Sequence, residues 1–284
     1  MPAPASGFMN AIRTFWFAML MALLCPVVVQ ADPVQNTVQN TVQNIAQKVV
    51  DIPTRPGVTQ RLLVLTPPEP KAVAILMAGG HGGLQLTADG AITWGGGNFL
   101  IRARQLFVEQ GLMVVIVDAP SDRQTSPYLQ NFRQTANHAA DLKAVMAWVR
   151  SSHPLPIWLV GTSRGTESAA YVATELTGAE GPDGVVLTST ILKDRRGVPV
   201  PEMRLERIRI PVLVVHHEQD GCAFCPFNVI PTLMTRLGNS RRSQLLSFTG
   251  GDDRGDPCGA FAHHGYNGQE AEVVRQTVAG MLAR

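Results

Sequence analysis

Gly161-Thr162-Ser163-Arg164-Gly165 follows the apolar run Ile157-Trp158-Leu159-Val160 and precedes a helix-like stretch from Glu167 to Leu176. In a strand–turn–helix setting, this G-x-S-x-G spacing presents a serine hydroxyl at the start of a helix, above the end of a sheet. The turn is so tight that a side chain at either flanking position would collide with the strand or helix beside it, which glycine avoids. The bland alternative is an ordinary glycine-rich turn. A serine hydroxyl is a poor nucleophile on its own, so Ser163 calls for a base and for a carboxylate that orients the base.

Ala262-His263-His264-Gly265-Tyr266 supplies two histidines between the last apolar run and the last helical pattern. His264 is the preferred base, because Gly265 lets the loop bring an imidazole close to the serine; His263 is its rival. Asp220 lies just beyond the apolar run Val212-Leu213-Val214-Val215 and is the preferred carboxylate. Glu218 and Asp194 compete for that role, and Asp252 and Asp253 occupy a less usual place. The chain order Ser163, Asp220, His264 suits acyl transfer on an α/β scaffold. An oxyanion formed in such a reaction needs two N–H donors. The backbone N–H of Arg164 is one. The loop Gly79-Gly80-His81-Gly82-Gly83 offers the other, with Gly82 the first choice and His81 the second. A phosphate-cradling loop is the alternative reading, but no GK[ST] follows it.

These residues need a frame. Apolar runs at 59–65, 72–77, 112–118, 157–160, 185–187, 212–216 and 244–248 read as strands, and 98–110, 134–151 and 271–282 read as helices. Continuous apolar strands separated by helices imply an α/β architecture with a mostly parallel sheet covered on both faces. Active sites in such sheets gather at the carboxyl ends of the strands. About twenty residues separate Leu192 from Val212, too few for a large lid. No repeat of solenoid length is present.

The strand–G-x-S-x-G–helix motif, the Ser–Asp–His order and the HG-rich loop resemble the α/β-hydrolase superfamily. The small lidless members, similar to dienelactone hydrolases and prolyl-oligopeptidase-type domains, are the nearest likeness, and it covers roughly 48–284. It implies an eight-stranded sheet and a serine hydrolase acting on a small-molecule acyl substrate, carboxylesterase-like and needing no metal or organic cofactor. A peptidase, amidase or thioesterase of the same fold is the alternative; from another class, a non-catalytic binding protein on a hydrolase scaffold. Two departures matter. Ser163 stands where true dienelactone hydrolases carry cysteine, and no propeller domain is present.

Hydrophobic residues make up 45% of the 284-residue chain and charged ones 16%, enough for a well-buried core. The net charge of +2 comes with no basic stripe, so nucleic acid is not an expected partner. Residues 1–31 read as an export signal: Arg13 precedes the uncharged stretch 15–29, and Val29-Gln30-Ala31 suits cleavage. The stretch is short for a membrane span and broken by Pro26. The thrice-repeated Val-Gln-Asn segment within 32–47 reads as a flexible tether. Export implies a periplasmic or secreted protein in an oxidising compartment. If Asp220 and His264 meet, Cys222 and Cys258 come close, which favours a Cys222–Cys258 bridge over Cys225–Cys258. The Cys222-x-x-Cys225 spacing also suits redox chemistry, and three cysteines with His263 could bind zinc. The oligomeric state is not legible.

Overall fold

The computed structural model describes residues 45–194 and 197–283. The expected signal and most of the expected tether lie outside the described residues. Eight strands form one sheet: β1 (Ala46–Arg55), β2 (Val58–Thr66), β3 (Ala72–Met77), β4 (Leu112–Pro120), β5 (Ile157–Thr162), β6 (Gly184–Thr188), β7 (Val212–His217) and β8 (Ser243–Phe248). Their order is β1-β2-β4-β3-β5-β6-β7-β8. The first two pairings are antiparallel and the rest are parallel.

Each parallel strand from β4 to β7 is buried along its whole length, which explains why the sequence shows unbroken apolar runs there. Side-chain alternation still divides these runs between two cores. Val73, Ile75, Leu159, Val185 and Val214 point to one face. There they meet helix α3 (Ala136–Ser152) through Leu142, Val145 and Val149, and helices α4 (Gly165–Glu175) and α5 (Ile230–Arg236). Ala74, Leu76, Val160, Val186 and Leu213 point to the other. There they meet α1 (Phe99–Arg102), α2 (Arg104–Glu109) and α6 (Glu270–Leu282) through Leu100, Phe107, Val274 and Val278.

One sheet edge differs from the expectation. β1 carries Lys48, Asp51 and Pro53, is mostly exposed, and shifts register near Pro53. Charge, proline and a bulge discourage pairing with another chain. They also hide the strand from an apolar pattern. The helix expected at 98–110 is two short helices meeting at Ala103, the first capped by Asn98 Oδ1, which accepts from Leu100 N at 3.2 Å. Between β6 and β7 the described residues carry only the 3₁₀ turns Val200–Glu202 and Leu205–Arg207. Among the described residues, no helix is long and apolar enough to cross a membrane.

His138, in the first turn of α3, is buried with neither ring nitrogen hydrogen-bonded, and it meets the Phe132 ring edge-on. Burial, then the Arg133 and Arg55 charges, push its pKa down to about 3. The unfolded chain, with an ordinary histidine pKa near 6.5, therefore binds the extra proton first as pH falls. This contribution to stability is complete above about pH 6.5 and is lost progressively toward pH 3, at about 1.4 kcal/mol per pH unit. Burial lowers His216 and His217 as well, which adds to the same acid loss. The melting temperature should fall between pH 6.5 and 4 less steeply in His138→Leu than in the wild type. Parallel profiles would contradict this.

Candidate active site

Ser163 follows β5 and precedes α4 at the carboxyl end of the parallel sheet, with φ +51°. That left-handed conformation is strained for a residue with a Cβ. Local contacts hold it. Ser163 N donates to Thr188 O at 3.0 Å, and Ser163 O accepts from Thr166 N and Thr166 Oγ1 at 2.9 and 2.6 Å. The flanking glycines are required by backbone clearance. A Cβ on Gly161 would lie 2.4 Å from Gly165 O, and one on Gly165 would lie 2.1 Å from Met77 O.

His264 sits in the 3₁₀ turn His263–Gly265, and a Cβ on Gly265 would lie 1.9 Å from Ala260 O. Its Nδ1 is 2.9 Å from Asp220 Oδ2, and both side chains are buried. Because the carboxylate accepts, Nδ1 carries the proton, and Nε2 is left as the basic nitrogen. Nε2 is buried with no hydrogen-bond partner among the described residues. His264 and Ser163 line one cleft of about 370 Å³, together with Gly79, Gly80, Trp94 and Asn98. Asp220 Oδ1 accepts from Cys222 N at 2.9 Å, which fixes the carboxylate.

The rival residues are engaged elsewhere. His263 stacks on His217, with ring centres 4.3 Å apart. Glu218 accepts from Ser247 Oγ, Asp252 pairs with Arg254, and Asp253 accepts from His263 N. Asp194 pairs with the Arg164 guanidinium at 2.7 Å, beside Glu167 at 3.4 Å. Burial raises the Glu167 pKa, opposed by the Arg164 and Arg133 charges.

The glycine-rich loop is divided between two cavities. Gly79 and Gly80, not Gly82 or His81, line the cleft that holds Ser163. A Cβ on Gly79 would lie 2.9 Å from Ser163 Cβ. A Cβ on Gly82 would lie 2.4 Å from Arg133 Nη2, so that glycine makes room for a guanidinium. The His81 ring lies between Trp94 and Tyr128 and borders a neighbouring cavity of about 380 Å³. Among the described residues, the backbone N–H groups of Gly80 and Arg164 donate no hydrogen bond.

Cys222 and Cys258 form a disulfide, and Cys225 is free and buried. The Cys222, Cys225 and His264 donor atoms lie within 4.8 Å of one another, but the Cys222 sulfur is committed to the bridge, so this set does not fit a metal. The same commitment removes the Cys222-x-x-Cys225 dithiol. With its cysteines 36 positions apart in the chain, the bridge is worth about 3–4 kcal/mol in the chain-entropy model. Cys258→Ser should therefore lower the melting temperature by roughly 6–16 °C for a chain of this size. A shift below about 2 °C would contradict that estimate.

Neither a protein-family model nor a curated protein sequence matches the chain. Solved structures do. A Pyrococcus furiosus esterase superposes with a TM-score of 0.61 at 13% identity, over 90% of this chain and 96% of that one. An alpha-beta serine hydrolase homologue from Coxiella burnetii gives 0.57 at 18%, over 83% and 97%. A dienelactone hydrolase from Anabaena variabilis gives 0.56 at 14%, over 84% and 96%. The chain has the α/β-hydrolase fold.

Several supports of the cleft on this α/β-hydrolase fold carry no sequence motif. Tyr266, at φ +55°, donates its hydroxyl to Val215 O at 2.7 Å and accepts from Ser189 N at 3.0 Å. Ser189 Oγ donates to His264 O at 2.7 Å. Arg102 donates to Gly265 O and Gly97 O, both at 2.6 Å, and pairs with Glu270. The His264 turn is thus tied to the ends of β6 and β7 and to the loop before α1. Ser189 and Tyr266 both take left-handed backbone conformations, and neither is the glycine or asparagine that usually marks one in a sequence.

Proposed function

We propose that the protein is an exported serine hydrolase that cleaves a carboxylic ester through a Ser163–His264–Asp220 acyl-enzyme mechanism. One observation carries the reading: a serine on a strained turn shares a cleft with a buried histidine whose Nε2 is bare and whose Nδ1 is held by a carboxylate. In the reaction, His264 Nε2 takes the Ser163 proton as Oγ attacks the ester carbonyl. Such contacts commonly close only around a bound substrate. Asp220 stabilises the imidazolium. The oxyanion is received by the N–H groups of Arg164 and Gly80, worth roughly 3–4 kcal/mol for each donor. His264 then protonates the leaving alkoxide, and water repeats the sequence on the acyl-enzyme. None of these steps calls for a metal or an organic cofactor.

The three large apolar side chains exposed among the described residues border this region. Trp94 lines the cleft, Val198 lines the neighbouring cavity, and Phe261 lies against the cleft residue Gly97. That favours an ester with an apolar acyl or alcohol group. The disulfide fits a periplasmic or secreted location. The reading is tested with p-nitrophenyl esters from acetate to octanoate beside matched p-nitroanilides. Ester turnover well above anilide turnover is expected. A preference for anilides would assign amide chemistry instead, and no turnover of either would overturn the proposal.

A further inference from the structure

Arg133 is a buried cation that the mechanism above does not use. Among the described residues, no carboxylate oxygen lies within 4.0 Å of it, an uncommon condition for a buried guanidinium. It is held instead by neutral acceptors. Nη1 donates to Ser168 Oγ at 2.9 Å, and Nη2 donates to Ala78 O at 3.0 Å and to Gly80 O at 3.3 Å. Ser168 belongs to α4, the helix that starts just after Ser163, while Ala78 and Gly80 belong to the loop that borders Ser163. One side chain therefore joins the two segments that carry the proposed oxyanion donors.

The backbone geometry makes the role specific. Peptide groups are planar and trans, so with the Ala78 and Gly80 carbonyls turned to Arg133, the N–H groups of Gly79 and His81 point the opposite way. Both planes flanking the Gly79–Gly80 peptide are thereby held, which narrows the range of directions open to the Gly80 N–H. Gly80 itself is at φ +58°, a conformation a free loop would readily leave. Gly82 has no Cβ where one would strike Nη2. The geometry points to Arg133 as the positioning residue of the oxyanion loop, and as a fixed positive charge behind the place where negative charge develops. The inference rests on the hydrolase reading. Burial lowers the Arg133 pKa to about 10, so the charge persists at neutral pH.

A purely structural arginine would alter melting and leave the kinetics of the folded fraction intact. A positioning role lowers kcat, spares KM, and weakens a tetrahedral mimic in parallel, because only the transition state carries the oxyanion. The experiment measures kcat and KM for p-nitrophenyl acetate and the inhibition constant of phenylboronic acid in Arg133→Met and Arg133→Lys, with circular dichroism to confirm folding. In Arg133→Met, kcat should fall about 100-fold, the scale of losing one oxyanion donor, with KM within about 3-fold and boronate affinity falling by a similar factor. Arg133→Lys keeps the charge without the two-pronged fork and should recover part of kcat. If Arg133→Met does not fold, Arg133→Lys carries the test with an expected loss of about 10-fold. A folded variant with kcat within about 3-fold of the wild type, or one whose only change is a higher KM, overturns the inference. An inactive wild type that also resists a fluorophosphonate overturns the hydrolase reading along with it, whereas an active wild type with an indifferent Arg133 overturns this inference alone.

Discussion

Ser163→Ala should lower kcat for an ester substrate by about a million-fold, while the protein melts within about 2 °C of the wild type. The first number is the scale seen when the nucleophile of a serine triad is removed; the remaining rate comes from the oxyanion donors and binding. The second follows from the turn. Ser163 is fixed by its backbone, through Thr188 O and the two Thr166 donors, and its hydroxyl makes no hydrogen bond to the described protein. Alanine keeps the Cβ that packs against Gly79 and loses only the reacting atom. Activity within about 10-fold of the wild type would place the nucleophile elsewhere.

Asp220→Asn should cost about 10⁴-fold in kcat with little change in the fold. The carboxylate can only accept, so it holds the proton on His264 Nδ1 and leaves Nε2 basic. An asparagine amide facing the ring can donate to Nδ1 instead, which moves the ring proton to Nε2 and removes the base. The retained carbonyl can still accept from Cys222 N, so the loop keeps its anchor. His216 cannot substitute for His264. It is buried, its Nε2 is occupied by Cys225 O at 2.8 Å, and burial lowers its pKa. A loss below about 30-fold would mean that Asp220 does not set the tautomer.

Much of this arrangement was legible in the sequence. The glycines at 161 and 165 are dictated by backbone atoms 2.1–2.4 Å from where a Cβ would stand, so the motif records the turn directly. The central strands had to be apolar throughout because both faces are buried. Cys222 and Cys258 follow from the acid and base loops meeting. What was hidden depended on distant partners. Nothing within Gly79-Gly80-His81-Gly82-Gly83 tells which glycine faces the serine; Arg133, some fifty residues on, decides it by filling the space beside Gly82. β1 escaped notice because an edge strand is allowed charge and proline. The break at Ala103 lacks a glycine or proline to mark it. Ser189 and Tyr266 support the His264 turn from conformations that short-range patterns do not encode.

The most direct measurement is the site of phosphonylation. Folded protein is treated with a fluorophosphonate, digested and mapped by mass spectrometry, with His264→Ala and denatured wild type alongside. One adduct per chain on Ser163 is expected, forming quickly in the wild type and slowly or not at all in both controls. An adduct on another residue, equal labelling of the denatured chain, or a folded wild type that takes no label would contradict a serine activated by His264.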